Sequence, residues 1–400
     1  MPALSDVMEY AELFTIAPLV IDQDHCVAVR NRNARCRQCR DICFASAITI
    51  ENNEISVDGG ACVNCGACLG VCPTSCISAT EPARSEVVEA ALQAAVRAKG
   101  VTCIACARKA ARHDADPELF AQVPCLAHIT EGLLADIAAA GARDIALVDG
   151  NCATCKYGAA DAAIECTLDN ALKLFETLEA PIIVTRLQEF PPEFANTFKR
   201  DIRGADRRGL MAQTGRYLRT VANNVAQKTL EDKLGSAKSK PRTLKDRLGA
   251  GKSGKMPTFP ADENMHLIDC LLKVGNSEKI ANLTEGKVAW HEDAALNTRH
   301  FGSVTIDSEK CSGCGLCVLF CPTEALKYGE FDKPDNPDMR YLEFQAADCT
   351  QCSMCVDVCL RDCIEVTPNV SMREVLDFEP RLIEIPRPKD RLPLFNKKFP

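Results

Sequence analysis

The chain has 400 residues, 46% of them hydrophobic and 26% charged, with a formal charge of −8. That balance excludes wholesale disorder and a membrane-embedded chain, and the length suits two or three domains of roughly 150 residues each. With 25 cysteines, 5 tyrosines and 1 tryptophan, sulfur is the organising feature.

In chain order, the first segment, 1–82, carries nine cysteines in two bursts separated by ITIENNEISVDGG, whose alternation predicts a hairpin. Residues 83–195 have another rhythm. SEVVEAALQAAVRAKG reads as a helix ending in glycine, VTCIAC as a strand, and EGLLADIAAAGARDIALVDG as helix then strand. GAADAAIECTLDNALKLFETL adds a helix and PIIVTRL a strand, and strands alternating with helices predict parallel βαβ units. Residues 196–262 are basic, with 16 Lys and Arg against 5 Asp and Glu between Lys199 and Lys255. This segment reads as an amphipathic helix carrying Leu210, Leu218, Val221 and Val225, followed by a flexible tether, with an acidic partner or membrane surface as the other reading. Nucleic acid is disfavoured, because the segment lacks interleaved aromatics and the whole chain is acidic. Residues 263–372 repeat the cysteine bursts after VTID and YLEF, and 373–400, with five prolines, read as an extended arm.

No run approaches the ~18 apolar residues of a membrane span. The start, MPALSDVMEYAELF, lacks the basic beginning and apolar core of a signal peptide, so a cytoplasmic, non-integral protein is expected. In a reducing compartment, tightly spaced thiols read as metal ligands or redox centres rather than as a disulfide scaffold.

Cys62, Cys65, Cys68 and Cys72 before Pro73, and Cys311, Cys314, Cys317 and Cys321 before Pro322, follow the run C-x2-C-x2-C-x3-C-P. Cys349, Cys352, Cys355 and Cys359 keep the spacing, with Leu360 in place of proline. Three thiolates on one tight loop cap three corners of an iron–sulfur cube, and the fourth cysteine reaches the neighbouring cube. The expected sets are therefore Cys311, Cys314, Cys317 with Cys359, and Cys349, Cys352, Cys355 with Cys321. In the first run Cys36, Cys39 and Cys43 match the last three positions. Cys26 is the natural substitute for the first, across the insertion VAVRNRNAR. The expected sets there are Cys26, Cys36, Cys39 with Cys72, and Cys62, Cys65, Cys68 with Cys43. Zinc, or an iron cluster lacking Cys26, are the alternatives. Arg30, Arg32, Arg35, Arg37 and Arg40 near the Cys26 set are expected to raise its potential, or else to dock an acidic partner.

On these motifs, residues 20–80 and 303–368 resemble two bacterial-type dicluster ferredoxin modules. The resemblance implies a small α+β sandwich with pseudo-twofold symmetry, two [4Fe-4S] clusters per module, four in all, and one-electron transfer. The middle segment places Cys103 and Cys106, Cys125, and Cys152 and Cys155 at the predicted carboxyl ends of strands, where ligands of parallel sheets gather. Its wording, VTCIAC, PCLAHI and LLADIAAAGARDIALVDGNCATCKYG, resembles the delta-type iron–sulfur subunit of methyl-viologen-reducing hydrogenases. That resemblance implies a [2Fe-2S] cluster on these five cysteines; zinc or a redox-active dithiol stay open. The expected fold class is α+β, with two ferredoxin-like modules flanking an α/β middle domain.

Cys76 and Cys363, four residues after the last ligand of a run, are expected to pack over a cluster, and Cys166 and Cys270 to be ordinary core or helix cysteines. The six histidines show no metal-binding pair, and no dinucleotide fingerprint or nucleophile with a base is found, so no substrate chemistry is assigned. The expected function is single-electron relay in anaerobic metabolism, with a flavoprotein, hydrogenase, formate dehydrogenase or heterodisulfide-reductase-like enzyme as partner. The alternative is an accessory, maturation or redox-sensing protein for a molybdenum or hydrogenase-type enzyme.

Overall fold

The computed structural model describes residues 19–195, 257–284, 296–329 and 336–388. The basic segment 199–255 and the end of the Pro-rich arm lie outside the described residues.

In the first unit β1 (Leu19–Ile21) pairs antiparallel with β4 (Ile77–Ala79), enclosing the hairpin of β2 (Ile48–Glu51) and β3 (Glu54–Val57). Asn52 and Asn53 turn that hairpin with φ of 52° and 56°, the left-handed pair that a two-residue turn needs and asparagine tolerates. Short helices α1 (Val27–Arg30), α2 (Gln38–Ile42) and α3 (Ala67–Val71) fill the corners.

The middle unit runs α4 (Arg84–Arg97), β5 (Val101–Cys106), α5 (Ala107–Ala110), β6 (Ala121–Val123), α6 (Glu131–Ala139), β7 (Asp144–Val148), α7 (Asp161–Thr177) and β8 (Ile183–Leu187). Its four strands form one parallel sheet in the order β6-β5-β7-β8. The central strands β5 and β7 are covered on both faces, which is why VTCIAC and IALV read as continuous apolar runs. Thr130 caps α6 by accepting the Leu133 N–H.

The last unit contains α8 (Asp262–Val274), α9 (Ser277–Thr284), β9 (Ser303–Ile306), α10 (Leu316–Phe320), β10 (Leu326–Tyr328), β11 (Met339–Phe344), α11 (Met354–Asp357), β12 (Ile364–Thr367), α12 (Met372–Leu376) and β13 (Arg381–Pro386). As in the first unit, the outer strands β9 and β12 pair antiparallel around an inner hairpin, β10 with β11. Part of the segment read as an extended arm is β13, paired along β11 with Ile383 opposite Leu342 and Ile385 buried.

One apolar core runs through the middle and last units, with Leu267, Ile268 and Leu271 of α8 buried among Leu133, Leu134 and Ile137 of α6. At roughly 1.5–3 kcal/mol per buried aliphatic side chain, this seam binds the two units firmly. A smaller cluster joins the first and last units, where Val27 and Ala34 meet Met354 and Val358.

Candidate metal centres

Three of the cysteine loops share one backbone form. The residues flanking the second cysteine are left-handed in each: Asn64 and Gly66 around Cys65, Gly313 and Gly315 around Cys314, Gln351 and Ser353 around Cys352. Such a backbone wraps around its thiols and turns N–H groups inward, as the Gly313 N–H, 3.4 Å from the Cys311 sulfur, illustrates. The Cys36 loop departs from this pattern, since Arg37 has φ of −140°. There the insertion supplies α1 instead, and the Val29 and Ala28 N–H groups point at the Cys26 sulfur.

The structure gathers the thiols in four sets, each with three cysteines from one run and one from the other. Burial, then the charges of Cys72, Cys36 and Cys26, push the Cys39 thiol up to about 12. Burial, then Cys65, Cys39, Cys62 and Cys43, push Cys68 up further. Cys317 is raised to about 12 by burial, Cys311, Cys314 and Cys359. Cys349 reaches about 12 through burial and the charges of Cys352 and Cys321, Cys352 reaches about 12 through burial and the charges of Cys321 and Cys36, and Cys355 is raised beside them. Four thiolates gathered this closely and repelling one another need a cationic core, and an all-thiolate donor set suits iron–sulfur groups or zinc. The residues present therefore fit the groups that the spacing implies. Cys26 and Cys72 are lowered, to about 7 and about 6, chiefly because the Cys76 thiol hydrogen-bonds to both.

The middle unit gathers fewer thiols than its spacing predicts. Residues 103 and 106 of β5 lie three apart on a strand of period two, so their side chains face opposite ways. Cys103 points into the far-face cluster of Ala105, Ala146, Val148 and Phe194, and burial alone raises it to about 12. Cys106 lies on the other face, 3.4 Å from the Asp149 carbonyl oxygen. Cys125 is raised to about 11 by burial, then by Cys65, Cys106 and Cys155. Cys152 turns to the Asp149 carboxylate, 3.1 Å away, where Arg186 also binds. Of the five, Cys106, Cys125 and Cys155 converge, with Cys65 of the first unit beside them.

The arginines of the insertion do not crowd around the Cys26 set. Arg40 pairs with Asp41 on the surface, and Arg35 reaches Asp357 with its N–H at 2.8 Å. Burial raises the Cys36 thiol, and Arg37 is the one arginine whose charge opposes that rise. Arg30 is 1% exposed, its Nη1 and Nη2 donating to the carbonyls of Asp24 and Pro257. Burial works to deprotonate it, and the charges of Cys352, Cys321 and Asp24 oppose that. Its cation thus faces a thiol set of the last unit. Sequence reasoning missed this junction, for which the insertion's length was the only signal.

Residues 310–363 match the 4Fe-4S dicluster domain family. Over 66 residues, 16% of this chain, the sequence is 42% identical to a ferredoxin of Methanothermococcus thermolithotrophicus, 97% of which is spanned. It is also 40% identical over 57 residues, 14% of this chain, to an uncharacterized protein in the rpl9-rpl11 intergenic region of Porphyra purpurea, 73% of which is spanned. A 41-residue stretch, 10% of this chain, is 44% identical to NADH-quinone oxidoreductase subunit I of Carboxydothermus hydrogenoformans and covers 29% of that protein. No solved structure matches the chain. With the thiol geometry, these likenesses define an iron–sulfur electron-transfer protein with a dicluster module near its C-terminus. By its likeness to that ferredoxin, 97% of which it spans, the chain belongs to the ferredoxin family. No helix among the described residues is long and apolar enough to cross a membrane.

Proposed function

We propose that this protein is a polyferredoxin-like subunit that relays single electrons between a redox enzyme and a partner. Four [4Fe-4S] groups, held by Cys26, Cys36, Cys39 and Cys72, by Cys43, Cys62, Cys65 and Cys68, by Cys311, Cys314, Cys317 and Cys359, and by Cys321, Cys349, Cys352 and Cys355, would supply reversible one-electron storage. Cys106, Cys125 and Cys155 are the residues for a fifth group, [2Fe-2S] or another.

The observation that carries this reading is how the thiol sets abut. Cys125 feels the charge of Cys65, Cys68 feels Cys39 of the neighbouring set, Cys352 feels Cys36 across the joint between units, and Cys355 feels Cys317. The sets therefore stand in one series: middle unit, Cys62 set, Cys26 set, Cys349 set, Cys311 set. The protein's work is to keep that order rigid and dry. Val27 and Ala34 against Met354 and Val358 exclude water at the joint, and Arg35 on Asp357 fixes its register. At the middle-unit end Phe44 and Tyr157 close the seam, ring centroids 5.9 Å apart. At the far end Leu360 is 72% exposed directly after Cys359, an apolar contact point for a partner. Partners of the flavoprotein, hydrogenase, formate dehydrogenase or heterodisulfide-reductase class suit such a relay.

The test is anoxic purification from the native host, with iron and sulfide counting, EPR under stepwise reduction, and identification of stoichiometric partners in one sample. Sixteen or more iron atoms per chain and magnetic interaction between neighbouring sets are expected. Iron-free or all-zinc material would overturn the reading.

A further inference from the structure

Away from every thiol set described above, three metal-binding side chains of different kinds meet between two helices. α8 carries His266 and Cys270 four residues apart, hence on one face. α6 supplies Asp136 from the opposite side of the helix–helix seam. The His266 Nε2 lies 2.5 Å from Asp136 Oδ1, the Cys270 sulfur 3.5 Å from that oxygen and 3.7 Å from that nitrogen. We propose that Asp136, His266 and Cys270 form a site for a zinc-class divalent cation, independent of the iron–sulfur assignment.

The first argument is convergence. In a nucleophile relay the two ring nitrogens of histidine face different partners, one the carboxylate and one the thiol. Here a single nitrogen faces both, so oxygen, nitrogen and sulfur all point at one place. The second is spacing. Tetrahedral zinc with bonds of about 2.3 Å to sulfur and about 2.0–2.1 Å to nitrogen and oxygen separates sulfur from the other ligands by roughly 3.6 Å. Both sulfur distances match that value. The nitrogen–oxygen distance is that of a hydrogen bond and opens to about 3.3 Å when a cation takes the place of the shared proton.

Electrostatics support the same reading. The second carboxylate oxygen of Asp136 accepts from the Arg84 Nε at 2.6 Å, which leaves Oδ1 free to turn inward. The Arg84 charge is itself matched by Glu263, whose two oxygens lie 2.8 Å from Nη1. A dication with one thiolate and one carboxylate is then neutral in a neutral surround. On binding, the Cys270 thiol gives its proton to solvent, the sulfur–metal bond replaces the S–H bond, and His266 binds through the Nε2 lone pair. The mixed sulfur, nitrogen and oxygen donors favour zinc over magnesium or calcium, which take oxygen. Cys270 is buried while the His266 side chain is 47% exposed, so the fourth position opens to water. A cation here would clamp the middle unit to the helix leading into the last one. The His-x3-Cys spacing was legible in the sequence, though not as a histidine pair.

The test uses the full-length protein prepared anoxically with its iron in place, equilibrated with zinc chloride and desalted. Elemental analysis should find one zinc per chain more than in H266A, D136N or C270S, with iron unchanged in all four. The zinc X-ray absorption edge should report one sulfur neighbour among nitrogen and oxygen. H266A alters a half-exposed side chain and therefore tests the site even if C270S folds poorly. Equal zinc in wild type and H266A, or a zinc spectrum showing only sulfur neighbours, would overturn the proposal.

Discussion

The sulfur of Cys76 lies 3.4 Å from that of Cys72, and Cys363 stands at the same 3.4 Å from Cys359. At the corresponding place after Cys43 and Cys321 the residue is Ala47 or Ala325, both buried. Each pair of thiol sets is thus asymmetric, since one set carries an added thiol donor and its neighbour does not. Hydrogen bonds to ligand sulfur favour the reduced, more negative state and raise the potential. C76A is therefore expected to lower the potential of the Cys26 set. A net hydrogen bond of about 1 kcal/mol corresponds to about 40 mV for a one-electron couple. EPR-monitored redox titration reads this directly, and an unmoved signal would contradict it.

Arg30 leads to a prediction that reverses the expectation from sequence. Its buried cation faces Cys352 and Cys321, so R30Q should lower the potential of the Cys349 set and leave the Cys26 set nearly unchanged. The same titration resolves the two, and a shift confined to the Cys26 set would refute the geometry.

Gly66 has φ of +85°, and a Cβ there would lie 2.4 Å from the His128 ring nitrogen and 2.6 Å from its Cα. Gly100 has φ of +97° with nothing within 4 Å of such an atom. G100A should therefore cost only the left-handed penalty of about 1–2 kcal/mol. G66A should add displacement of the Cys65 loop, with iron falling by about four atoms per chain. Iron analysis alongside thermal melts separates the two effects.

In the middle unit C103A should leave iron and sulfide unchanged and cost only core packing. C125S and C155S should each reduce the metal held there. Equal loss from all three variants would mean that the sheet face does not select the ligands.

Glu131, 1% exposed, joins the middle and last units through Arg299 at 2.6 Å and His300 at 3.3 Å. Burial acts to raise its pKa, but His300 and Arg299 outweigh it and hold the carboxyl below its ordinary value. A carboxyl depressed on folding stabilises above its unfolded pKa, and this contribution disappears as pH falls through the folded value. E131Q should thus destabilise by about 3–5 kcal/mol at neutral pH, and by less as acid protonates the wild-type residue. Urea unfolding of the metal-loaded protein at pH 7 and pH 4 checks both sign and size.

Much of this molecule was legible because its signals are local. The Asn52–Asn53 turn, the βαβ rhythm of 101–187 and the cysteine spacings each lie within a short window. What failed involved direction or distance. The tight C-x2-C pair of Cys103 and Cys106 suggested one site, but strand alternation sends them to opposite faces. Arg30 sits four residues after Cys26 yet spends its charge on a thiol set some 300 residues away. Strand β13, hidden among prolines, is fixed by its partner β11 rather than by its own composition.

The chain re-enters beside the first unit: Arg30 binds the Pro257 carbonyl, and the Phe259 ring stacks 3.8 Å from His25. During synthesis the N-terminal third therefore leaves the ribosome well before the surface that covers it exists. If the Cys26 set holds a cluster as proposed, its delivery would have a natural window in that interval, which the arrival of the last third would close. Separate expression of the two halves should yield oxygen-fragile fragments rather than two working ferredoxins.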